Sequence, residues 1–273
     1  MEKTKKQTKA KKRFTGIGSS GLVILACFII AVCIYKFVFG NPANFLNNDP
    51  HNQPISGNLL GTIYKGGVVV PIILTLLLTV LSLSVERFFA ITSAEGKGKL
   101  VNFVVKVKDA LAAGDIKQAI SLCDQQQGSV GNVVYAALKK YEEVEKDDTL
   151  SKEQKMLAIQ KELEEATALE LPMLSQNLPV IATMTTLGTL MGLFGTVLGM
   201  IRSFSALAGA GGTDSVALSV GISEALVNTA FGIATGACAV ISYNYFTSKI
   251  DGITYSIDEV GFSIVQTFAA THK

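Results

Sequence analysis

Charge is what this chain has least of: 17% of its 273 residues are Asp, Glu, Lys or Arg, against 49% hydrophobic. With a mean hydropathy of +0.40 it is too apolar for an ordinary soluble domain, in which about a quarter of the residues are charged. Histidine and cysteine are scarce too. His51 and His272 stand in a loop and at the penultimate position, and Cys27, Cys33, Cys123 and Cys238 show no C-x-x-C spacing. Metal chemistry is therefore not expected, nor any cofactor, and the cysteines read as packing residues. A phosphate-binding loop is also missing, because Gly96-Lys97-Gly98-Lys99 lacks the G-x-x-x-x-G-K-[ST] spacing. No nucleophile, acid and base are grouped in the polar part, so an enzyme is not expected. The formal net charge of +2 gives no reason to expect nucleic acid as a partner.

What is present is long apolar runs. A bilayer core of about 30 Å needs about 20 apolar helical residues, and residues 16–40, 66–92, 178–205 and 216–247 reach that length. The expected fold is an all-α membrane protein of four transmembrane helices, whose long helices extend into a helical cytoplasmic domain. Residues 1–15 carry Lys3, Lys5, Lys6, Lys9, Lys11, Lys12 and Arg13, which places the N-terminus in the cytoplasm. The first run reads as an uncleaved anchor in preference to a secretory signal, since Lys36, Phe37, Val38 and Phe39 follow it where a cleavage site would need small residues.

Residues 41–65, with Asn41-Pro42, Asp49-Pro50 and Gln53-Pro54, suit a periplasmic loop, and the Gly-rich residues 206–215 a periplasmic turn. Residues 93–177 hold eleven lysines and form the expected cytoplasmic helical domain. Leu100 to Ala113, Asp115 to Gln125 and Val130 to Glu143 carry apolar residues at helical spacing, with Gly114-Asp115 as a stop and a new start. From Ser151 an amphipathic helix runs toward the third span, and the two are expected to form one rod, bent at most by Pro172 and Pro179. In residues 248–273, Ile250, Ile253, Ile257, Val260, Ile264 and Phe268 recur about every 3.5 residues, a stripe that needs a packing partner. Both termini are then cytoplasmic.

The third span groups its small and polar residues. At 100° per residue, Thr185, Thr189 and Thr196 lie within about 40° of one another, beside a stripe of Gly188, Gly192, Gly195 and Gly199. The glycines read as a helix-packing surface; the hydroxyl row reads either as back-bonding to its own helix or as the lining of a polar conduit. In the fourth span Gly221, Glu224, Asn228 and Thr235 share a face, flanked by Thr229 at about 100°. A carboxylate inside a bilayer costs several kcal/mol, about 2.5–3.5 on insertion scales, so it faces protein or water and serves ion traffic. Glu224 is the functional candidate, the alternative being an ion pair with Arg202. Thr185, Thr189, Asn228 and Thr235 are candidate pore-lining residues. Without a nucleotide site, a motor would draw on the membrane potential, worth about 2.3 kcal/mol per charge per 100 mV.

Two segments resemble a known family. Gly192-Leu193-Phe194-Gly195-Thr196-Val197-Leu198-Gly199-Met200-Ile201 is similar to the G-L-x-G-T-V-x-G-I-x signature of the MotA/TolQ/ExbB proton channel family. Glu224-Ala225-Leu226-Val227-Asn228-Thr229-Ala230-Phe231-Gly232 resembles its E-A-L-x-x-T-A-x-G signature. Pro71 with Glu86-Arg87 resembles the first family span, and Leu111 to Cys123 its cytoplasmic helix. Within the family the likeness is nearest to ExbB and TolQ, over Gly66 to the C-terminus. The resemblance implies a homopentamer in the bacterial inner membrane, enclosing helices of an ExbD- or TolR-like single-span partner whose membrane aspartate takes the proton. It places Thr196 and Thr229 on the motif threonines near that aspartate and Glu224 on the motif glutamate, so these three form the implied proton pathway. It further implies that the proton motive force drives TonB-dependent import or Tol-type envelope maintenance through a TonB- or TolA-like protein. The chain departs from the pattern twice: the proline preceding G-L-x-G-T is missing, Thr189 standing three residues before Gly192, and the first span is additional to the three-helix core.

Overall fold

The computed structural model describes residues 20–209 and 215–271. The expectations for residues 1–15, for the start of the first span, for residues 210–214 of the turn and for His272 lie outside them; residues 206–209 of the expected turn are the last turn of the helix that precedes it. The described residues are helical, with one isolated bridge between Phe45 and Pro54 and no strand. Among the described residues four helices are long and apolar enough to cross a membrane.

The chain divides into two compact units, an apolar one from Ile17–Glu86 with Asn177–Tyr245 and a charged one from Arg87–Gln176 with the segment that begins at Phe246. In the apolar unit α1 (Ser20–Cys33) widens into a π-helical turn, Ile34–Phe39. The loop that follows uses its turn formers: Asn41 Oδ1 accepts from Ala43 N at 3.0 Å, and Asp49 Oδ1 from His51 N at 2.9 Å. Lys65 Nζ donates to the carbonyls of Pro50 and His51 at 2.9 and 3.1 Å, and its burial pulls the ammonium below the usual lysine range against the opposing pull of Asp49. A short helix, α2 (Leu59–Tyr64), leads into α3 (Val69–Glu95). Ala31 and Phe39 pack with Val70 and Leu74, together with Ile63, Tyr64 and Val227.

The charged unit contains α4 (Leu100–Ala112), α5 (Ile116–Gln126), α6 (Gly128–Glu145) and α7 (Lys152–Ser175). Gly114, at φ 74, stops α4 in the left-handed conformation that glycine tolerates. Asp115 then caps α5 through Gln118 N at 2.8 Å. Ser151 and Gln154 form a reciprocal capping box at the start of α7.

The expected single rod is two helices. Beyond α7, Gln176 turns extended and Asn177 adopts φ 65, before α8 (Leu178–Gly209) begins. The break follows Asn177 and neither proline: Pro172 stays inside α7, and Pro179 sits in the first turn of α8, where its missing N–H costs nothing. Within the charged unit, fully buried Arg87 donates to the carbonyls of Met173 and Leu174 at 3.1 and 3.3 Å, capping the end of α7. Within the apolar unit, Asn177 Nδ2 donates to Glu86 Oε2 at 3.3 Å.

The last helix, α9 (Ser215–Thr271), is 57 residues long, about 85 Å at 1.5 Å per residue, well beyond the ~30 Å of a bilayer core. The stripe of Ile250, Ile253, Ile257, Val260, Ile264 and Phe268 is buried, and its partner is the chain itself. The Phe268 ring meets Tyr141 edge-on at 4.9 Å, the Leu163 side chain lies over Gly261, and Lys108 pairs with Glu259 at 2.9 Å.

Candidate functional site

The site candidates gather where α8 meets α9 in the apolar unit. All four stripe glycines of α8 face α9. A Cβ on Gly192 would stand 3.0 Å from Gly232 Cα, one on Gly199 2.8 Å from Gly221 O, and one on Gly188 2.9 Å from the Thr235 methyl. Gly195 lies against Asn228, where an added Cβ would come within 2.6 Å of the amide carbon. Gly232 answers from the other side, 2.7 Å from Gly188 O by the same construction. In lipid, where water does not drive apolar surfaces together, small residues let two backbones touch and gain dispersion contact along their length.

This close approach brings two hydroxyls together. Thr196 Oγ1 and Thr229 Oγ1 are in direct contact, both on half-buried side chains. Thr196 also lies 3.2 Å from Gly192 O, and Thr229 3.1 Å from Ala225 O, the carbonyls one turn back on their own helices. Each hydroxyl has one proton and two lone pairs. One threonine can donate to the other, which in turn donates to its own helix, so the pair spends both protons internally. What it offers outward is acceptor lone pairs, suited to a donor such as a protonated carboxyl or water.

The other candidates divide. Thr189 is exposed, donates to Thr185 O at 3.2 Å and stands beside Gly236, while Thr185 is half-buried. Asn228 and Thr235 face the interior of the unit. Asn228 Nδ2 donates to Gly66 O at 2.9 Å, Thr235 donates to Phe231 O at 2.8 Å, and both residues are 0% exposed. Asn228 Oδ1 is buried with no hydrogen-bond partner among the described residues.

Glu224 is buried, and its Oε1 lies 2.5 Å from Arg202 Nη1. The ion pair is thus made, with the carboxylate sheltered and the Arg202 side chain 53% exposed. Such a partner offsets part of the hydration that a sequestered carboxylate loses. Sequence reasoning missed residues that join these groups from afar: Gly66 and Gly67, and Ser203, whose buried hydroxyl reaches Leu218 O at 3.3 Å. It also missed Thr75 and Thr79, buried on α3 and bonded to the carbonyls of Pro71 and Thr75 at 2.7 and 2.8 Å. Their i, i+4 spacing in an apolar run was the available signal. Among the described residues no three His, Cys, Asp or Glu side chains are grouped to hold a metal ion.

Known proteins resemble this chain. The sequence profile of the MotA/TolQ/ExbB proton channel family matches residues 125–259. The chain is 41% identical over 88 residues to a putative biopolymer transport protein ExbB-like 3 of Synechocystis sp., covering 32% of this chain and 42% of that protein. It is 31% identical over 133 residues to the Tol-Pal system protein TolQ of Pseudomonas aeruginosa (49% and 57%). With TolQ of Haemophilus influenzae it shares 36% over 84 residues (31% and 37%). The chain thus spans between about a third and just over half of the length of these curated relatives. With its four apolar helices it is a multi-pass inner-membrane protein. The two signature segments lie within the matched residues, and they are the two that pack on each other through Gly192, Thr196, Thr229 and Gly232; over residues 125–259 the chain matches the MotA/TolQ/ExbB proton channel family.

Proposed function

We propose that this chain is the channel-forming subunit of an ExbB/TolQ-type motor, which uses the proton motive force to energise TonB-dependent outer-membrane transport or Tol-type envelope maintenance. The observation that carries the reading is the contact between the Thr196 and Thr229 hydroxyls. With both protons spent internally, the pair presents acceptors to a neighbouring helix, and a membrane carboxylic acid on a single-span ExbD- or TolR-like partner would donate there when protonated. Losing its proton would cost that acid the bond, so the pair senses the acid's charge state. Glu224, tied to Arg202, shapes the outer end of the path, and Thr185 and Thr189 continue the hydroxyl row along α8. The working assembly is a homopentamer around the partner's helices, with a TonB- or TolA-like protein receiving the motion and both termini in the cytoplasm. The chain's role is transport and not enzymatic catalysis.

Thr196→Val and Thr229→Val test the reading, since each keeps the shape and removes the hydroxyl. Both are expected to abolish energy-dependent uptake with the complex still assembled; full transport by both sinks the proposal. A second reading, a non-conducting scaffold subunit of an envelope complex, draws on the glycine-lined contact and on the Arg202–Glu224 pair, which build structure without conduction. Under it Glu224→Gln acts through assembly alone, so an assembled but inactive Glu224→Gln complex excludes the scaffold.

A further inference from the structure

We infer that Tyr35, on the first apolar helix, is a positioning residue for the Arg202–Glu224 ion pair, acting through the corner at Tyr64–Gly67. The functional consequence rests on the motor reading; the geometry stands without it. The first helix lies outside residues 125–259, where the family profile matches, so the family match gives it no part.

The chain of contacts is continuous. Tyr35 Oη donates to Tyr64 O at 3.0 Å, and Gly67 N donates to the same carbonyl at 3.2 Å. A carbonyl oxygen has two lone pairs, so the two bonds together fill it and fix its direction. Gly67 adopts φ 75. A Cβ there would stand 2.9 Å from Arg202 Nη1 and press still closer on the Glu224 carboxylate. The bare backbone of Gly67 is therefore the wall against which the ion pair rests. One residue earlier, Gly66 O accepts from Asn228 Nδ2 at 2.9 Å. The corner thus touches α9 at Glu224 and Asn228, one turn apart on one face.

What holds Tyr64 is the first helix and its loop. The Tyr35 and Tyr64 rings stack at 4.8 Å and 23°, and Phe45 meets Tyr64 edge-on at 5.5 Å. The π-helical turn Ile34–Phe39 brings a second residue to the same ring. Gly40 N–H closes the turn on Tyr35 O at 2.9 Å, and a Cβ on Gly40 would lie 2.6 Å from the Tyr64 ring. Such widened turns occur frequently at functional positions. An extra span that served as an anchor alone would have no need of a hydroxyl aimed at the carbonyl that orients Gly67.

The test uses the full chain purified in its complex and reconstituted into lipid vesicles. The infrared carboxylate band of Glu224 is identified as the one lost in Glu224→Gln. Tyr35→Phe keeps the ring stack and removes the hydroxyl, and it is expected to shift that band and to speed amide exchange over residues 66–70 about five- to tenfold. Ile29→Val, on the exposed side of the same helix, leaves both unchanged. Proton uptake driven by the membrane potential falls about three- to tenfold in Tyr35→Phe with the complex assembled. An unmoved Glu224 band in Tyr35→Phe overturns the inference whether or not the vesicles take up protons. A shifted band with wild-type uptake overturns its functional consequence. If wild-type vesicles take up no protons, the motor reading fails, and the infrared result still decides the role of Tyr35.

Discussion

One helix, α9, packs in two ways. Between Gly221 and Gly236 its buried face is small or polar: Gly221, Ala225, Asn228, Gly232, Thr235 and Gly236, set against the glycines of α8. From Ile250 to Phe268 its buried face is wholly apolar and bulky except at Gly261, where Leu163 fills the space, and its last ring is set against Tyr141. Solvent explains the difference. In lipid an isoleucine gains little by moving from acyl chain to protein, so helices associate through close backbone contact and hydrogen bonds. In water each buried side chain of that size contributes about 1.5–3 kcal/mol, so volume is what counts. The functional hydroxyls sit in the first kind of contact, where a few tenths of an ångström matter.

Substitutions of opposite sense should therefore damage the two contacts. Enlarging the glycine-lined one is the most severe: Gly192→Leu drives a side chain into Gly232 Cα, beyond the about 1–3 kcal/mol of ordinary overpacking. Size-exclusion chromatography in detergent should show no properly assembled complex, and a wild-type profile would refute the backbone-contact account. Shrinking the isoleucine-rich contact comes next. Phe268→Ala should cost about 3–5 kcal/mol. Its readout is Cys123, 3% exposed and raised by burial to about 12, which stays an unreactive thiol until the charged unit opens. In a variant keeping only Cys123, Phe268→Ala should accelerate maleimide labelling by at least a hundredfold.

Two smaller effects sharpen the contrast by touching neither contact. Ser151→Ala removes the α7 cap and should cost about 1 kcal/mol, seen as a lower urea midpoint by the same labelling. Lys108→Ala breaks the bond to Glu259, whose partners are 44% and 35% exposed, and should change stability by less than about 1 kcal/mol, the little there is fading with added salt. A larger loss would mean that the tail of α9 is held by charge more than by volume.

Periodicity carried far in the reading of the sequence. The four apolar helices, the breaks at Gly114 and Ser151 and the stripe along the end of α9 are set by local pattern, which 3.6-residue geometry converts directly into a buried face. What the stripe packs on was not legible, because Leu163 and Gly261 meet only through tertiary folding. The break at Asn177 escaped for a different reason: asparagine enters the left-handed region with little strain, and here its amide also reaches Glu86. Of the site, the glycine stripe and the threonines could be placed on their faces from spacing alone. The assignment of Asn228 to the unit interior could not, since its partner Gly66 stands 162 residues away. The widened turn after Cys33 left no sequence signal, and without it the relation of Tyr35 to Tyr64 is invisible.

Because α9 runs unbroken from Ser215 to Thr271, its length is written in phase as well as in distance. Inserting a single residue between Thr229 and Gly232 would turn Gly232 and Thr235 by about 100° away from Gly192 and Gly188, while Gly221 and Ala225 stayed against Gly199. A one-residue insertion there should be rejected where an exchange on the exposed face of the same helix is tolerated, because it changes the direction of every later contact with α8.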